Sequence, residues 1–437
     1  MDHEQSILTE IKHNLDDDAP RLILADWYSE SNDPRGDFIR TQCQMASLDW
    51  DDPGYEALQT LNETLLAKHR AKWLKALPKL AGVAWGTHDL AASRSLWWAG
   101  RTYFRRGFVE LVTYQDYAAY RKNAQAIAEY GLVTHPQFLN MNAQAFEALK
   151  REPAMRGMSH RIWEANTESF AHFACREKLQ SLTLEECSLH NAGLSRLMEI
   201  EFPALQVLDL AYNRLLFSEI DLTQWKSLAK VQWLSLGGND FAERFQQSDQ
   251  RIADIGLAAI RRLLSIPFQN LFALRLHSSE LSAPYVSEIA AAPSLNRLTE
   301  LDLSWNDLSG ESIRELAKGK FPALRHLHLG TNSLSDPAVI SLAEEPSFHT
   351  LRRLNLRDNP IGDAGIEAIA QSPYLSNLTH LNIPMLNFGQ GGINALIHST
   401  TLNSIRYLNI GDIELNVKTL NDLQRRYPRA IVRKPYH

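Results

Sequence analysis

The chain has 437 residues, of which 44% are hydrophobic and 22% charged, with a formal net charge of −6. It can bury a large core and is too long for one ordinary globular domain unless it is a barrel or a repeat array. So small a charge excludes a global field that recruits nucleic acid or an anionic membrane and leaves only a local basic patch open. Three cysteines, Cys43, Cys175 and Cys187, form an odd set without CxxC spacing. That argues against a disulfide framework and a structural zinc site and fits a reducing cytoplasm. The start, MDHEQSILTEIKHNLDDD, has no basic stretch followed by an apolar one, and no later run approaches about 18 apolar residues, so no export or membrane-spanning segment is expected.

From Asp2 to about Leu80 the sequence predicts helices: EQSILTEIKHNL, then APRLILADWYSES after an Asp18 cap with Pro20 in the first turn, then PRGDFIRTQCQMASL, then YEALQTLNETLLAKHRAKWLKAL. Asp26, Arg35, Asp37 and Arg40 fall within fifteen residues. A catalytic carboxylate needs a raised pKa or a metal, and neighbouring arginines push the other way, so the four read as an ion-pair network with Trp27 and Phe38 as the helix–helix core beneath it. Cys43 sits at a helical spacing consistent with burial. Next, GFVELVT predicts a strand, QDYAAYRKNAQAIAEYG a helix, and PQFLNMN and MSHRIWEAN two degenerate strands.

One pattern then recurs nine times: LQSLTLEECSL from Leu179, LQVLDLAYNRL from Leu205, VQWLSLGGNDF from Val231, LFALRLHSSEL from Leu271, LTELDLSWNDL from Leu298, LRHLHLGTNSL from Leu324, LRRLNLRDNPI from Leu351, LTHLNIPMLNF from Leu378 and IRYLNIGDIEL from Ile405. The intervals are 26, 26, 40, 27, 26, 27, 27 and 27 residues. The centre of each unit predicts a short parallel strand whose leucines point inward. After it the backbone turns and exposes buried amides and carbonyls, which an asparagine can satisfy as donor and acceptor at once. Asn213, Asn239, Asn306, Asn332 and Asn359 take that position, and Cys187, Ser279, Leu386 and Ile413 replace it. Leu386 and Ile413 offer no such bond, which predicts altered turns near the C-terminal end. The second half of each unit predicts a helix, clearest in IGDAGIEAIAQSPYLSN with Asp363 as its cap. The 40-residue interval carries a polar insertion at 241–256, readable as a longer loop or as a partner-contacting protrusion. TLNDLQRRYPRAIVRKPYH predicts a last helix and a closing strand, AIVRK, with Arg425, Arg426, Arg429, Arg433 and Lys434 as a solvated cap.

The recurring LxxLxLxxNxL unit resembles the leucine-rich repeat family from Leu179 to the C-terminus, in its helical, ribonuclease-inhibitor-like class. The segment DDDAPRLILADWYSESNDPRGDFIRTQ resembles the short repeat-companion domain found at the N-terminus of many bacterial leucine-rich repeat proteins. The match is carried by Asp18, Ala19, Pro20, Arg21, Leu22, Ala25, Asp26, Trp27, Asp33 to Gly36, Phe38, Ile39, Arg40 and Gln42. HRAKWLKAL and YFRRGFVELV also resemble the segments that lie between that domain and the repeats. The resemblance implies an α/β solenoid, with a parallel sheet on the hollow side and helices outside, preceded by a small all-α domain, and it brings no known reaction. The expected boundaries are residues 1–80 for the helical domain, 81–178 for a connecting segment and degenerate repeats, 179–415 for the repeats and 416–437 for a cap.

In this register the third, fifth, seventh and eighth positions of each unit face out on the hollow side. Large aromatic and arginine side chains there are the kind that anchor protein interfaces. Trp233, Trp305, Tyr212, Arg353, Arg357, Tyr407 and His328 are therefore the candidate partner contacts, although any of the aromatics could instead cover a neighbouring strand. His277, His326, His328 and His380 lie on strands too far apart for a metal site, strands two apart being separated by roughly 9–10 Å. No metal or cofactor is expected. Arg275 and Asp302, on adjacent strands, should neutralise one another. Asn355, Asn382 and Asn409 form either a hydrogen-bonding ladder or a polar ligand strip.

Three functions compete. The leading one is a non-catalytic, monomeric, cytoplasmic scaffold binding a protein or peptide, since the chain contains no GxSxG, P-loop or HExxH motif. The second is an enzyme or effector with Cys43 as nucleophile and the repeats selecting substrate. The third, binding of glycan or nucleic acid, gains little from the near-neutral charge.

Overall fold

The computed structural model describes residues 3–15, 17–48, 53–85, 104–133, 135–140, 157–160, 176–241, 250–319, 321–411, 413, 415–428 and 430–432. The chain divides into two compact units, Met1–Leu184 and Glu185–His437.

The first unit opens with four helices, α1 (His3–His13), α2 (Ala19–Glu30), α3 (Arg35–Ser47) and α4 (Pro53–Lys75). Ile7 and Ile11, one turn apart on α1, bury against Leu24, Ala25 and Tyr28 of α2 and Ile39 and Cys43 of α3. The opposite face of α3 packs Phe38 against Trp73 and Phe104, at ring separations of 4.7 and 5.4 Å. Phe38 and Trp27 therefore belong to different clusters, on either side of α3, and not to one shared core. Asp18 stands at the N-terminus of α2 without capping it. The carboxylate of Asp17 accepts the Ala19 amide at 2.9 Å, while Asp18 lies 3.3 Å from Arg106 Nε. The ion pairs expected around Asp26 form as two separate sets. Arg40 contacts Asp26 at 2.8 Å and Asp37 at 3.3 Å, whereas Arg35 contacts Asp33 at 2.8 Å and stacks 3.8 Å from the centre of the Tyr28 ring.

A hairpin of β2 (Phe104–Arg105) and β3 (Phe108–Val109) docks on α3 through Gln42. Gln42 donates to Asn62 Oδ1 (3.0 Å) and to the Phe104 carbonyl (3.2 Å), and accepts the Gly107 amide at 2.7 Å. Gly107 has φ +92°, and a Cβ there would meet Ile39 at 2.3 Å, so the turn requires glycine. GFVELVT thus splits between β3 and β4 (Leu111–Asp116). β4 pairs antiparallel with β1 (Val83–Trp85) and parallel with β5 (His135–Asn140), which leads through β6 (Gly157–His160) to β7 (Ser181–Thr183). Between β4 and β5 runs α5 (Tyr117–Tyr130), capped by Asp116 and closed by Gly131 in the left-handed conformation.

Among its described residues the second unit holds nine strands in sequence order: β8 (Val207–Asp209), β9 (Trp233–Ser235), β10 (Ala273–Arg275), β11 (Glu300–Asp302), β12 (His326–His328), β13 (Arg353–Asn355), β14 (His380–Asn382), β15 (Tyr407–Gly411) and β16 (Ala430–Val432), each parallel to the next. Leu208, Leu234, Leu274, Leu301, Leu327, Leu354, Leu381 and Leu408 stand in register, and each is at most 1% exposed. At ~1.5–3 kcal/mol for each buried leucine, this column and its neighbours supply the main drive for stacking. The helices are α6 (His190–Met198), α7 (Gln250–Leu264), α8 (Ala283–Ala291), α9 (Gly310–Ala317), α10 (Asp336–Ala343), α11 (Asp363–Gln371), α12 (Gln390–His398) and α13 (Val417–Arg426). Between β8 and β9 the chain forms two short 3₁₀ turns in place of a helix, with Trp225 buried and donating to the Ile200 carbonyl. Of the insertion at 241–256, residues 242–249 lie outside the described residues, and α7 begins at Gln250. Among the cap residues, Arg425 pairs with Asp422 and Arg426 donates to Asn403; Arg429, Arg433 and Lys434 lie outside the described residues. Among the described residues no helix is long and apolar enough to cross a membrane.

Asparagine ties the repeats together. Asn306 Oδ1 accepts the amides of Ser279 (3.0 Å) and Leu281 (2.9 Å) of the preceding unit, and its Nδ2 donates to the carbonyls of Leu276, Leu303 and Ser304. Asn213, Asn239, Asn332 and Asn359 bond in the same way. Where Leu386 stands in for asparagine the turn changes: the Ile361 amide bonds the Asn359 carbonyl at 2.8 Å instead. Near Ile413, β15 runs on to Gly411, which has φ +71°.

The helix caps also cross between repeats. Asp336 Oδ1 accepts the amides of Gly362 (2.6 Å) and Gly365 (3.0 Å) at the start of α11. Asp363, expected to cap its own helix, instead accepts the Gly389 and Gly392 amides, both at 2.7 Å, at the start of α12. A Cβ on Gly365 would lie 2.7 Å from the Asp336 carboxylate, so the small residue admits the neighbour's cap.

Candidate interaction face

The inward leucines fill one side of the sheet, so the third and fifth residues of each unit emerge on its other, open face. Trp233 is on that face but is only 1% exposed, contrary to its expected role as a solvent-directed anchor. Its cross-strand neighbours are the small Val207 and Ala273, which leave room for the indole to lie low, and the Arg275 guanidinium covers it at 5.1 Å from the ring. Arg275 is held by Glu300, with Nη2 at 2.6 Å and Nε at 2.8 Å. Glu300, and not the directly opposite Asp302, is therefore its principal partner.

Asp302 accepts the amide and hydroxyl of Ser304. Burial raises its pKa, but His328, His277, Arg275 and the Ser304 bond outweigh that and hold it below the ordinary value. Asp209 has the opposite balance: burial pushes its carboxyl up to about 6 against bonds from Ala211 and Ser235. His326, 1% exposed, is held well below the usual histidine range by burial and by Arg353, His328, Arg325 and His380. His380 stacks on Tyr407 at 5.7 Å and contacts Thr379 Oγ1 at 2.9 Å. The asparagine row is a ladder: Asn382 donates to Asn355 at 2.8 Å and Asn409 to Asn382 at 2.7 Å.

The eighth position of successive units takes the left-handed conformation: Tyr212 (φ 57°), Gly238 (68°), Ser278 (55°), Trp305 (57°), Thr331 (54°), Asp358 (55°) and Met385 (58°). Each of these amides from Tyr212 to Asp358 donates to the seventh-position carbonyl of the next unit, as Trp305 does to Gly330 at 2.9 Å. The turn thus continues the interstrand bonding. A large side chain in this conformation costs about 1–2 kcal/mol, which glycine avoids. Tyr212 lies across Gly238 to reach Ser278 at 3.1 Å and tilts on His277 at 5.5 Å. Trp305 and Met385, by contrast, are 56% and 60% exposed. Arg357 is exposed, with Nη2 3.5 Å from Met385 Sδ.

The sequence candidates therefore separate. Trp305 and Arg357 project into solvent; Arg353, Tyr407, His328 and Tyr212 are half-buried, the last three against named neighbours; Trp233 supports the surface from below. Sequence reasoning does not single out Met385, although it shares the eighth column with Trp305.

The thiol of Cys43 has no activated character. It is buried, and burial followed by the charge of Asp18 pushes it up to about 12, so the alternative of a cysteine nucleophile gains no support from its surroundings. Among the described residues no cluster of three histidine, cysteine or acidic side chains is placed to hold a metal.

No curated protein matches the chain. Among solved structures, an internalin from Listeria monocytogenes is 17% identical over 67% of this chain and 70% of its own, with a TM-score of 0.39. A leucine-rich repeat protein of Leptospira interrogans is 15% identical over 71% and 74%, with a TM-score of 0.36. A TLR13–ssRNA13 complex is 15% identical over 65% and 40%, with a TM-score of 0.39. The leucine-rich repeat family model matches residues 295–317 and 349–370, each segment covering one strand of the sheet and most or all of the helix that follows it, and these two segments are leucine-rich repeats.

Proposed function

We propose that the chain is a non-catalytic scaffold that binds a protein or peptide partner on the open face of its repeat sheet. The observation that carries this reading is Trp305, a large aromatic held in a strained left-handed backbone conformation and still 56% exposed. The left-handed turn is common to the whole column, but the ring placed there is left largely in water, and its apolar area is buried only when a partner covers it. Trp305 and Arg357 are the central contacts, Arg353, Tyr407, His328 and Tyr212 the surrounding ones, and Trp233 a support. In this reading the protein is a monomeric bacterial protein of the cytoplasm, and residues 1–80 are its repeat-companion domain.

The test is co-purification from the native cell with three forms of the full chain: the parent and two variants. Trp305→Ala should lose the main partner, while Val417→Ser, on exposed α13, should keep it. Retention by Trp305→Ala together with loss by Val417→Ser would move the site off the sheet.

A further inference from the structure

In four units the seventh residue turns its backbone amide to the open face, where the fifth side chain of the same unit accepts it. Asp209 takes the amide of Ala211 (3.0 Å), Asp302 that of Ser304 (3.0 Å), Asn355 that of Arg357 (3.1 Å) and Asn409 that of Gly411 (3.1 Å). The unit that begins at Leu324 breaks this pattern. Its fifth residue is His328, and the amide of its seventh residue, Gly330, has no acceptor among the described residues. Gly330 is buried, and a buried amide hydrogen without a partner is rare in folded proteins. Its carbonyl, by contrast, accepts from Trp305 at 2.9 Å and from Asn332 at 3.3 Å, which fixes the peptide in place. The Gly237 amide also lacks an acceptor among the described residues, but it lies under His277: a Cβ on Gly237 would meet the imidazole at 2.6 Å. At Gly330 the atom nearest to such a Cβ is the Arg357 carbonyl oxygen at 3.3 Å, which leaves room for one more atom.

Two further donors open beside this amide. Asn355, opposite His328 on the adjacent strand, accepts Asn382 Nδ2 (2.8 Å) and the Arg357 amide on its Oδ1, which fills both lone pairs. Its Nδ2 lies 3.4 Å from the position of a Gly330 Cβ and donates to nothing among the described residues. Arg357 is exposed, and its guanidinium, with five N–H donors, bonds among the described residues to Met385 Sδ alone. The notch therefore offers donors only. Trp305, one unit before, and Met385, two units after, are its exposed apolar borders.

From this convergence, and resting on the proposed interaction face, we infer that Gly330, Asn355 and Arg357 form a carboxylate-binding site, filled by a carboxylate of the partner while an apolar residue beside it covers Trp305. A carboxylate supplies acceptor positions for a backbone amide, a side-chain amide and a guanidinium together, and brings no donor that would be left unpaired. Asp302, already engaged by the Ser304 amide and hydroxyl, and Asp358 place negative charge near the notch. They disfavour a doubly charged phosphate more than a singly charged carboxylate.

The test is nuclear magnetic resonance of the full chain with isotope-labelled glycine amides, titrated with sodium acetate at constant ionic strength and, in parallel, with sodium phosphate. Gly330→Pro identifies the resonance by deleting that amide, and proline already holds the seventh position two units on, at Pro384. Thermal melting of each variant first establishes that it folds like the parent. Acetate should shift the Gly330 resonance downfield to saturation and leave Gly237 in place, with phosphate at least threefold weaker. Arg357→Gln should weaken the acetate response at least threefold, and Arg425→Gln on α13 should leave it unchanged. Dodecapeptides selected on the parent from a display library should bind at least tenfold more weakly when one carboxylate is neutralised, and that loss should vanish in Gly330→Pro. Loss on amidation places the carboxylate at the peptide's C-terminus, and loss on an aspartate-to-asparagine or glutamate-to-glutamine change places it on a side chain; either supports the site. A Gly330 resonance unmoved by acetate, moved equally in Arg357→Gln, or moved more tightly by phosphate overturns the inference, as do peptides that bind the parent and Gly330→Pro alike. If Trp305→Ala abolishes native co-purification while acetate leaves Gly330 unmoved, the interaction face stands and the carboxylate site falls.

Discussion

Asp363 caps the helix of the following repeat and not its own, accepting the Gly392 amide at 2.7 Å. Asp336 does the same one repeat earlier, so each carboxylate joins two units while satisfying amides that a helix leaves open. Asp363→Ala and Asp336→Ala should each cost about 1–2 kcal/mol in urea denaturation, and the pair should depart from additivity because Asp336 holds the turn, Gly362 to Gly365, that carries Asp363.

Asn306 makes five hydrogen bonds to backbone groups of two repeats. Asn306→Leu keeps the branched shape but leaves those groups unsatisfied, for an expected loss of at least ~3 kcal/mol, more than one orphaned group costs. Asn359→Leu should cost less, because Asn359 makes four such bonds, accepting the Leu334 amide where Asn306 accepts two amides. Parallel denaturation of the two variants checks the order.

Glu300 and Arg275 are nearly solvent-free, with side-chain exposures of 2% and 14%. Glu300→Ala strands the guanidinium over Trp233 and should destabilise by about 3–5 kcal/mol. The double variant Glu300→Leu/Arg275→Met should recover most of that loss, since Asp302 retains His328 and His277 nearby. A double variant as unstable as Glu300→Ala would contradict the pairing.

Asp209 gives the repeat unit a pH response. Its folded pKa is about 6, above the ordinary 3.8, so the folded state holds more protons than the unfolded state between those values. Its contribution therefore falls as pH rises from about 4 to about 6, by an amount on the order of 2 kcal/mol, and is flat above that. Asp209→Asn should remove this decline, which urea denaturation at pH 4.5 and pH 7 would reveal as a smaller difference than in the parent.

The strands, their register and the asparagine bonds were legible because each depends on a local period: Leu301 and Leu303 are inward for the same reason in every unit. The depth of Trp233 was not legible. Alternation says which side of the sheet a residue takes, while its exposure depends on Val207, Ala273 and Arg275, residues 26 to 42 positions away. The Asp363 cap was misplaced for a related reason, since a helix start in sequence resembles its own cap and the neighbouring repeat that receives it lies 26 residues on. Of the candidate contacts, Trp305 and Arg357 could be read from their columns.

The most direct measurement of the central claim is site-specific photocrosslinking in the native cell. A benzophenone amino acid is placed in turn at Trp305, Met385, Val417 and Ile255. The account predicts one shared protein adduct from positions 305 and 385 and none from 417 or 255; adducts formed only from 417 or 255, with positions 305 and 385 silent, would contradict it.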